Sequence, residues 1–233
     1  MSVNTNDDQL QAEPLAEVTP TYNIHLEPPI GTSFWSVQDI ELFEGKKIDS
    51  ATVDWSCRCY IFTTNQSPDS PDFVKSGGAF YIIFEHRGQL DMGSRTLKLR
   101  MHADSAIPVT HVPNRSTKNG DDWTATIDYE QQMQMFKNKG HEAFTHTAKY
   151  NDTFPLYDVN QSGGVVDGAA EARFDSAPYG RTRPDRPVEL RGLSVFRQHQ
   201  PDQWPLKFKF EATFGDKKAR ASSALEKNFT QEQ

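Results

Sequence analysis

The sequence predicts an all-β fold, either an antiparallel β-sandwich or jelly roll or, as the alternative, a closed β-barrel. Roughly eight or nine segments alternate apolar and polar residues, the pattern of strands that bury one face. The connections between them lack the long helices that parallel strands need as crossovers, which favours antiparallel pairing. We therefore expect a single β-sandwich domain over residues 21–215.

The first 20 residues are expected to form a flexible acidic arm. The stretch from Met1 to Pro29 contains no Lys or Arg, and its acidic residues are Asp7, Asp8, Glu13, Glu17 and Glu27. A charged segment with few apolar residues cannot bury enough surface to fold alone. The arm is therefore predicted to become ordered only against another surface.

The clearest strand prediction covers residues 51–62, where every second side chain is apolar. Residues 79–84 are apolar on both faces, which predicts a central strand covered on both sides. The alternation returns in residues 206–214, where Phe208 and Phe210 are predicted core residues. Other predicted strands are residues 34–43, 95–101, 123–129 and 188–196.

Two segments do not show a clear strand pattern. Residues 138–187 are predicted to be a long loop region, punctuated by Gly163-Gly164, and loops of this length are usually functional or assembly elements. Residues 216–233 are predicted to be a polar tail or a short helix. Ala, Lys, Arg and Glu, all good helix formers, are frequent there.

Composition and charge exclude several classes of protein. Hydrophobic residues make up 36% of the chain and aromatic residues 11%, enough for a substantial core. No apolar run approaches the roughly 18 residues of a membrane-spanning helix, so no membrane partner is expected. The net charge is −7, and the acidic arm would repel phosphate, so no nucleic-acid partner is expected.

Cys57 and Cys59 are the only cysteines, and both fall within a predicted strand. A disulfide between residues two apart on a strand would be strained, and two thiolates alone cannot complete a zinc site. Both are predicted to be reduced, buried thiols. The N-terminal sequence lacks the features of a signal peptide, so the chain is expected to be intracellular as synthesised, or within a particle released by lysis.

The sequence contains no recognisable catalytic, phosphate-binding or dinucleotide-binding motif. No catalytic residue, metal site or cofactor is therefore predicted, and an enzyme is the less favoured class. Trp123 and Trp204 are candidate ligand-binding residues because each lies beside a turn rich in Asp, Asn or Gln. Such aromatic rings can stack on sugars, or they can cap the ends of a sandwich.

Candidate partner-binding residues lie in the predicted middle loop. The Arg181, Arg183 and Arg186 side chains are expected to meet carboxylates on a neighbouring protein. Exposed ion pairs contribute little, so an interface also needs an apolar centre. The aromatic residues predicted to supply that centre are Phe154, Tyr157 and Tyr179.

These observations favour a non-catalytic structural or assembly protein. We expect a β-sandwich subunit of a larger particle, joined to itself or to other subunits through its arms and loops. Virion coat and accessory proteins provide the analogy, at the level of the fold only. The alternatives are a carbohydrate-binding module or lectin, and a β-barrel enzyme or small-molecule binder.

Overall fold

The computed structural model describes residues 34–63, 79–93, 95–128, 151–176, 186–198, 203–226 and 230–231. The predicted arm, and Tyr179, Arg181 and Arg183, lie outside these ranges. All regular elements of the described residues are strands: β1 Phe34–Ile48, β2 Ala51–Thr63, β3 Phe80–Asp91, β4 Thr96–Ala103, β5 Ile107–Val112, β6 Ser116–Asn119, β7 Asp122–Asp128, β8 Asn151–Tyr157, β9 Val159–Val166, β10 Ala169–Ser176, β11 Val188–Gln198, β12 Leu206–Phe214, β13 Lys217–Leu225 and β14 Thr230–Gln231.

The described strands form three antiparallel sheets, and none of them closes into a barrel. The six-stranded sheet has the order β14-β1-β2-β3-β11-β5, the five-stranded sheet β13-β12-β4-β10-β9, and the small sheet β6-β7-β8. The predicted antiparallel β-sandwich is therefore confirmed. No helix in the described part of the chain has the length and hydropathy needed to cross a membrane.

The chain crosses repeatedly between the two large sheets of the sandwich. β3, β4 and β5 alternate between the two large sheets, and β10 and β11 return in reverse order beside β4 and β3. β1 and β2 extend the six-stranded sheet at one side, and β12 and β13 extend the five-stranded sheet at one side.

Aromatic rings from the two large sheets interlock in the core. Phe84 of β3 packs on Phe208 of β12 with ring centroids 4.8 Å apart. Trp55 of β2 packs edge-on against Phe210 at 5.7 Å. The predicted burial of Phe208 and Phe210 is confirmed, because both are fully buried.

The six-stranded sheet is covered on its other side as well. β3 lies between β2 and β11, and Phe80 to His86 are all buried, which confirms a central, doubly covered strand. Outward-facing Leu193 of β11 is also buried. The small sheet packs at this side, where the Arg191 guanidinium lies 5.6 Å from the Phe154 ring centroid.

The predicted long loop over residues 138–187 is wrong for its described middle part. β8, β9 and β10 occupy 151–176, and β10 lies inside the five-stranded sheet between β4 and β9. Polar residues and the Gly163-Gly164 pair weaken the apolar alternation of β9. The strand is stabilised by pairing with β10 rather than by the burial of a strong apolar face.

The predicted polar tail or short helix over residues 216–233 is wrong for Lys217–Leu225, which forms β13. Its residues pair one-to-one with β12 along the whole strand. Ala219 and Leu225 point into the core, while Lys218 and Arg220 point outward. Pairing with β12 and this alternation outweigh the helix propensity of the segment.

Candidate functional site

The outward surface of the five-stranded sheet is strongly basic. In β4, β10, β12 and β13, alternate residues point into the sandwich and the others point outward. The strand register places the outward residues in rows across the sheet. We call this surface the basic sheet face: its cations are Lys98, Arg100, Arg173, Lys207, Lys209, Lys218 and Arg220, and its acids are Glu171, Asp175 and Glu211.

One row of the basic sheet face alternates in charge. The Nε atom of Arg100 lies 3.2 Å from Oε2 of Glu171, and that of Arg220 lies 2.9 Å from Oε2 of Glu211. Burial tends to raise the pKa of the Glu211 carboxyl. Hydrogen bonds from Lys218 and Arg220 outweigh this effect, so the pKa lies below its ordinary value. The positive and negative charges of this row therefore neutralise each other, and the ion pairs hold its side chains in place.

The excess positive charge lies on either side of that row. Lys98 and Lys207 form no ion pair with any described residue, whereas Lys209 Nζ lies 2.6 Å from Oδ1 of Asp104. Unpaired surface lysines attract anionic partners and repel cationic ones. The face can therefore accept a carboxylate-bearing or otherwise anionic partner.

A cleft of about 530 Å³ opens on the same face, beside the β9–β10 turn. Its volume is in the range of small-ligand pockets. The Nδ1 atom of His102 donates a hydrogen bond to the carbonyl of Gly168 at 3.2 Å, which fixes one wall. Charged side chains of both signs line the cleft: Arg100, Lys209, Arg220, Asp167 and Glu211.

The structure brings together three of the residues predicted from the sequence. Trp123 of β7 is paired in register with Tyr157 of β8, and the Arg186 guanidinium stacks over the Tyr157 ring, 3.5 Å from its centroid. Tyr157 has a φ of 53°, in the left-handed region that is costly for a large side chain. One candidate ligand-binding residue thus lies beside two candidate partner-binding residues.

The remaining described candidates lie elsewhere. Trp204 is half-buried and packs edge-on against Phe80, with ring centroids 5.3 Å apart, so it does not share a surface element with Trp123. Phe154, predicted as an exposed loop aromatic, is 1% exposed and belongs to the core. Its ring is therefore unavailable to a partner.

A hydrogen-bonded chain of buried side chains runs across the inner face of the six-stranded sheet, from β2 through β3 and β11 to β5. The indole Nε1–H of Trp55 donates to Nδ1 of His86 at 3.0 Å, so the proton of the neutral His86 ring is on Nε2. That Nε2–H donates to Oγ of Ser194 at 2.7 Å. The Ser194 hydroxyl in turn donates to Nδ1 of His111 at 2.9 Å. The direction of donation along the chain thus assigns both histidine tautomers.

The series of hydrogen bonds ends at His111, whose Nε2 is buried without a hydrogen-bond partner among the described residues. The ring packs directly on β9, because a Cβ at Gly163 would lie 2.5 Å from Cδ2 of His111. Gly163 is thus required for close packing rather than as loop punctuation. Burial lowers the pKa of His111 to about 3 and holds the pKa of His86 well below its ordinary value.

Cys57 of β2 lies beside this hydrogen-bonded chain, and both Cys57 and Cys59 are free and buried. Cys57 Sγ is 3.3 Å from Nδ1 of His86. Burial raises the pKa of both thiols, so neither is a thiolate at neutral pH. Among the described residues, no three His, Cys, Asp or Glu side chains are arranged to hold a metal ion.

We expect Cys57 and Cys59 to be unreactive in the folded protein and fully reactive after denaturation. Both side chains are at most 2% exposed and protonated, which removes both access and nucleophilicity. Titration with a thiol reagent, before and after adding guanidinium and without any reductant, checks this. Rapid labelling of the native protein would contradict the described burial.

Comparison with known proteins adds no family to this description. No protein-family model matches the sequence, and no curated protein matches it significantly.

Proposed function

We propose that the protein is a non-catalytic assembly subunit, a β-sandwich that associates with further copies of itself or with other subunits of a larger particle. The observation that carries this proposal is the basic sheet face. It presents seven cations against five acids, three of them on its strands and two, Asp104 and Asp167, beside Lys209 and Arg100, on a chain whose net charge is −7. The rest of the chain is correspondingly acidic, so identical copies carry surfaces of opposite sign.

Such an asymmetry favours association between identical copies. A basic patch on one copy attracts an acidic region on the next, and closed symmetry repeats the contact. Apolar surface adjoins the face, because Val165 and Val166 at the β9–β10 turn are 45% and 41% exposed. Charge can therefore steer the contact while these valines contribute apolar area to it.

The surface formed by Trp123, Tyr157 and Arg186 supports the same proposal independently. Trp, Tyr and Arg are the residue types that most often dominate binding energy at protein interfaces. Arg186 is exposed, and the two aromatic rings are partly exposed. This surface belongs to the small sheet, so it provides a contact distinct from the basic sheet face.

We expect the protein to be larger than its 26.4 kDa monomer at low salt, and the double variant Lys98→Glu/Lys207→Glu to be a monomer. Reversing two unpaired cations removes the attraction without breaking a described ion pair. Light scattering at low and high salt measures the mass. The matched control is Lys46→Glu/Lys47→Glu, two exposed lysines of β1, which should leave the mass unchanged.

An intact protein that is monomeric at high micromolar concentration would overturn the assembly proposal. That outcome would favour the carbohydrate-binding alternative. The specific observation in its favour is the cleft, whose donors and acceptors of both signs suit a polyhydroxylated ligand. A glycan array would then be the direct assay.

A further inference from the structure

We infer that the acidic N-terminal segment, residues 7–27, docks on the basic sheet face. The inference uses the same face as the proposed function but can fail separately from it. It requires only that the segment and the face meet, either within one chain or between two copies. Three observations support the contact: the opposite charges of the segment and the face, the length of the segment, and the pattern of charges on the face.

The first argument is charge complementarity. The segment carries five acids, between Asp7 and Glu27, and no Lys or Arg. On the face, Lys98 forms no ion pair with a described residue, and Lys207 acts only at longer range on Asp104, whose carboxylate is already ion-paired with Lys209. The segment thus supplies the kind of side chain that this face leaves unmatched.

The second argument is the place where the segment joins the domain. Gln38 Nε2 donates to the carbonyl of Glu226 at 3.2 Å, so the beginning of β1 lies beside the end of β13. β13 is the outermost strand of the basic sheet face. Phe34, where β1 begins, is four residues or about 13 Å along the strand from Gln38, so β1 begins within roughly that distance of the end of this face where Lys207 pairs with Ala224.

The length of the segment is sufficient to cross the face. An extended chain advances about 3.3 Å per residue, so Glu27 reaches roughly 23 Å from Phe34 and Asp7 several times farther. Five strands about 4.8 Å apart span roughly 19 Å. The same reach also allows the segment to dock on an adjacent copy.

The pattern of charge favours a peptide over a nucleic acid. Most cations of the face are already held by carboxylates, as in the row containing Arg100 and Arg220. Duplex DNA carries a charge about every 1.7 Å and requires many unpaired cations. Scattered carboxylates on a tethered segment need only a few unpaired cations, because the tether keeps the effective concentration of the carboxylates in the millimolar range.

Zero-length carbodiimide cross-linking of the full chain tests the inference, because it joins a carboxylate to an amine only when they touch. We expect acids of residues 7–27 to cross-link to Lys98 and Lys207 at least severalfold more than to Lys46, Lys47 and Lys118. The three control lysines are exposed and lie on the other two sheets. The preference should disappear at about 1 M salt, where the Debye length is about 3 Å.

Cross-links spread evenly over all five lysines, or none from this segment, would overturn the inference. So would capture of an added oligonucleotide by Lys98 and Lys207 without any cross-link from the segment. Mixing ¹⁴N- and ¹⁵N-labelled protein shows whether the contact lies within a chain or between copies. If the protein is a multimer but these cross-links are absent, the docking inference is wrong and the assembly proposal stands. If the protein is a monomer and shows these cross-links, the assembly proposal is wrong and the docking inference stands.

Discussion

Replacing Phe210 with alanine should lower the free energy of unfolding by about 3–5 kcal/mol, the usual cost of deleting a buried aromatic ring. Phe210 is fully buried and lies where the two large sheets meet. Its ring packs edge-on against Trp55 at 5.7 Å and against Phe84 at 6.1 Å. The substitution leaves a cavity between rings that are fixed by both sheets and cannot easily collapse into it.

Urea denaturation of the wild type and of Phe210→Ala measures the difference. Lys207→Ala, at an exposed position of the same strand, is the matched control and should change stability by less than about 0.5 kcal/mol. A loss below about 1 kcal/mol for Phe210→Ala would be inconsistent with the described inter-sheet packing.

Mild acid should destabilise the protein through the two buried histidines. A histidine in the unfolded chain has a pKa near 6.5, whereas burial lowers the pKa of His111 to about 3 and that of His86 well below its ordinary value. Between these values the unfolded chain binds protons that the folded protein does not. Stability is therefore greatest above about pH 6.5 and falls as the pH falls towards 3, by on the order of 4–5 kcal/mol from His111 alone.

A substitution can change the free energy of unfolding at every pH. The slope of that free energy against pH separates the contribution of histidine protonation from this constant change. His111 should contribute on the order of 1 kcal/mol per pH unit between pH 5 and 6, because most unfolded side chains are protonated there and the folded one is not. His111→Asn should remove this contribution, so the slope of the variant between pH 5 and 6 should be shallower than that of the wild type. An unaltered slope in His111→Asn would mean that His111 is protonated in the folded state.

Much of the fold follows from patterns within single segments. The alternation in residues 51–62 predicts the buried face of β2, and the doubly apolar run at 79–84 predicts the central position of β3. These predictions succeed because burial of one or both faces shows directly in the order of residues. The sequence prediction is wrong for β13 because its Ala and Lys residues also suit a helix, and only pairing with β12 decides between helix and strand.

The candidate site could not be predicted in the same way. Its cations come from strands that are distant in sequence, such as Lys98 in β4 and Arg220 in β13, and they become neighbours only through strand pairing. In each strand alone they are the ordinary polar half of an alternating pattern. The sequence does not point to His86 and His111 either, because a single histidine in a strand gives no sign of its partners.

The buried hydrogen-bonded chain also bears on how the protein folds. His86 and Ser194 are separated by 108 residues, and His111 and Ser194 by 83. Contacts this distant form only after large loops have closed, which slows folding of all-β topologies to milliseconds or seconds. Until β3, β5 and β11 are aligned, both imidazoles remain in water and can take up protons. In mild acid, completing the sandwich must therefore expel those protons, so acid opposes the last stage of folding as well as the folded state itself.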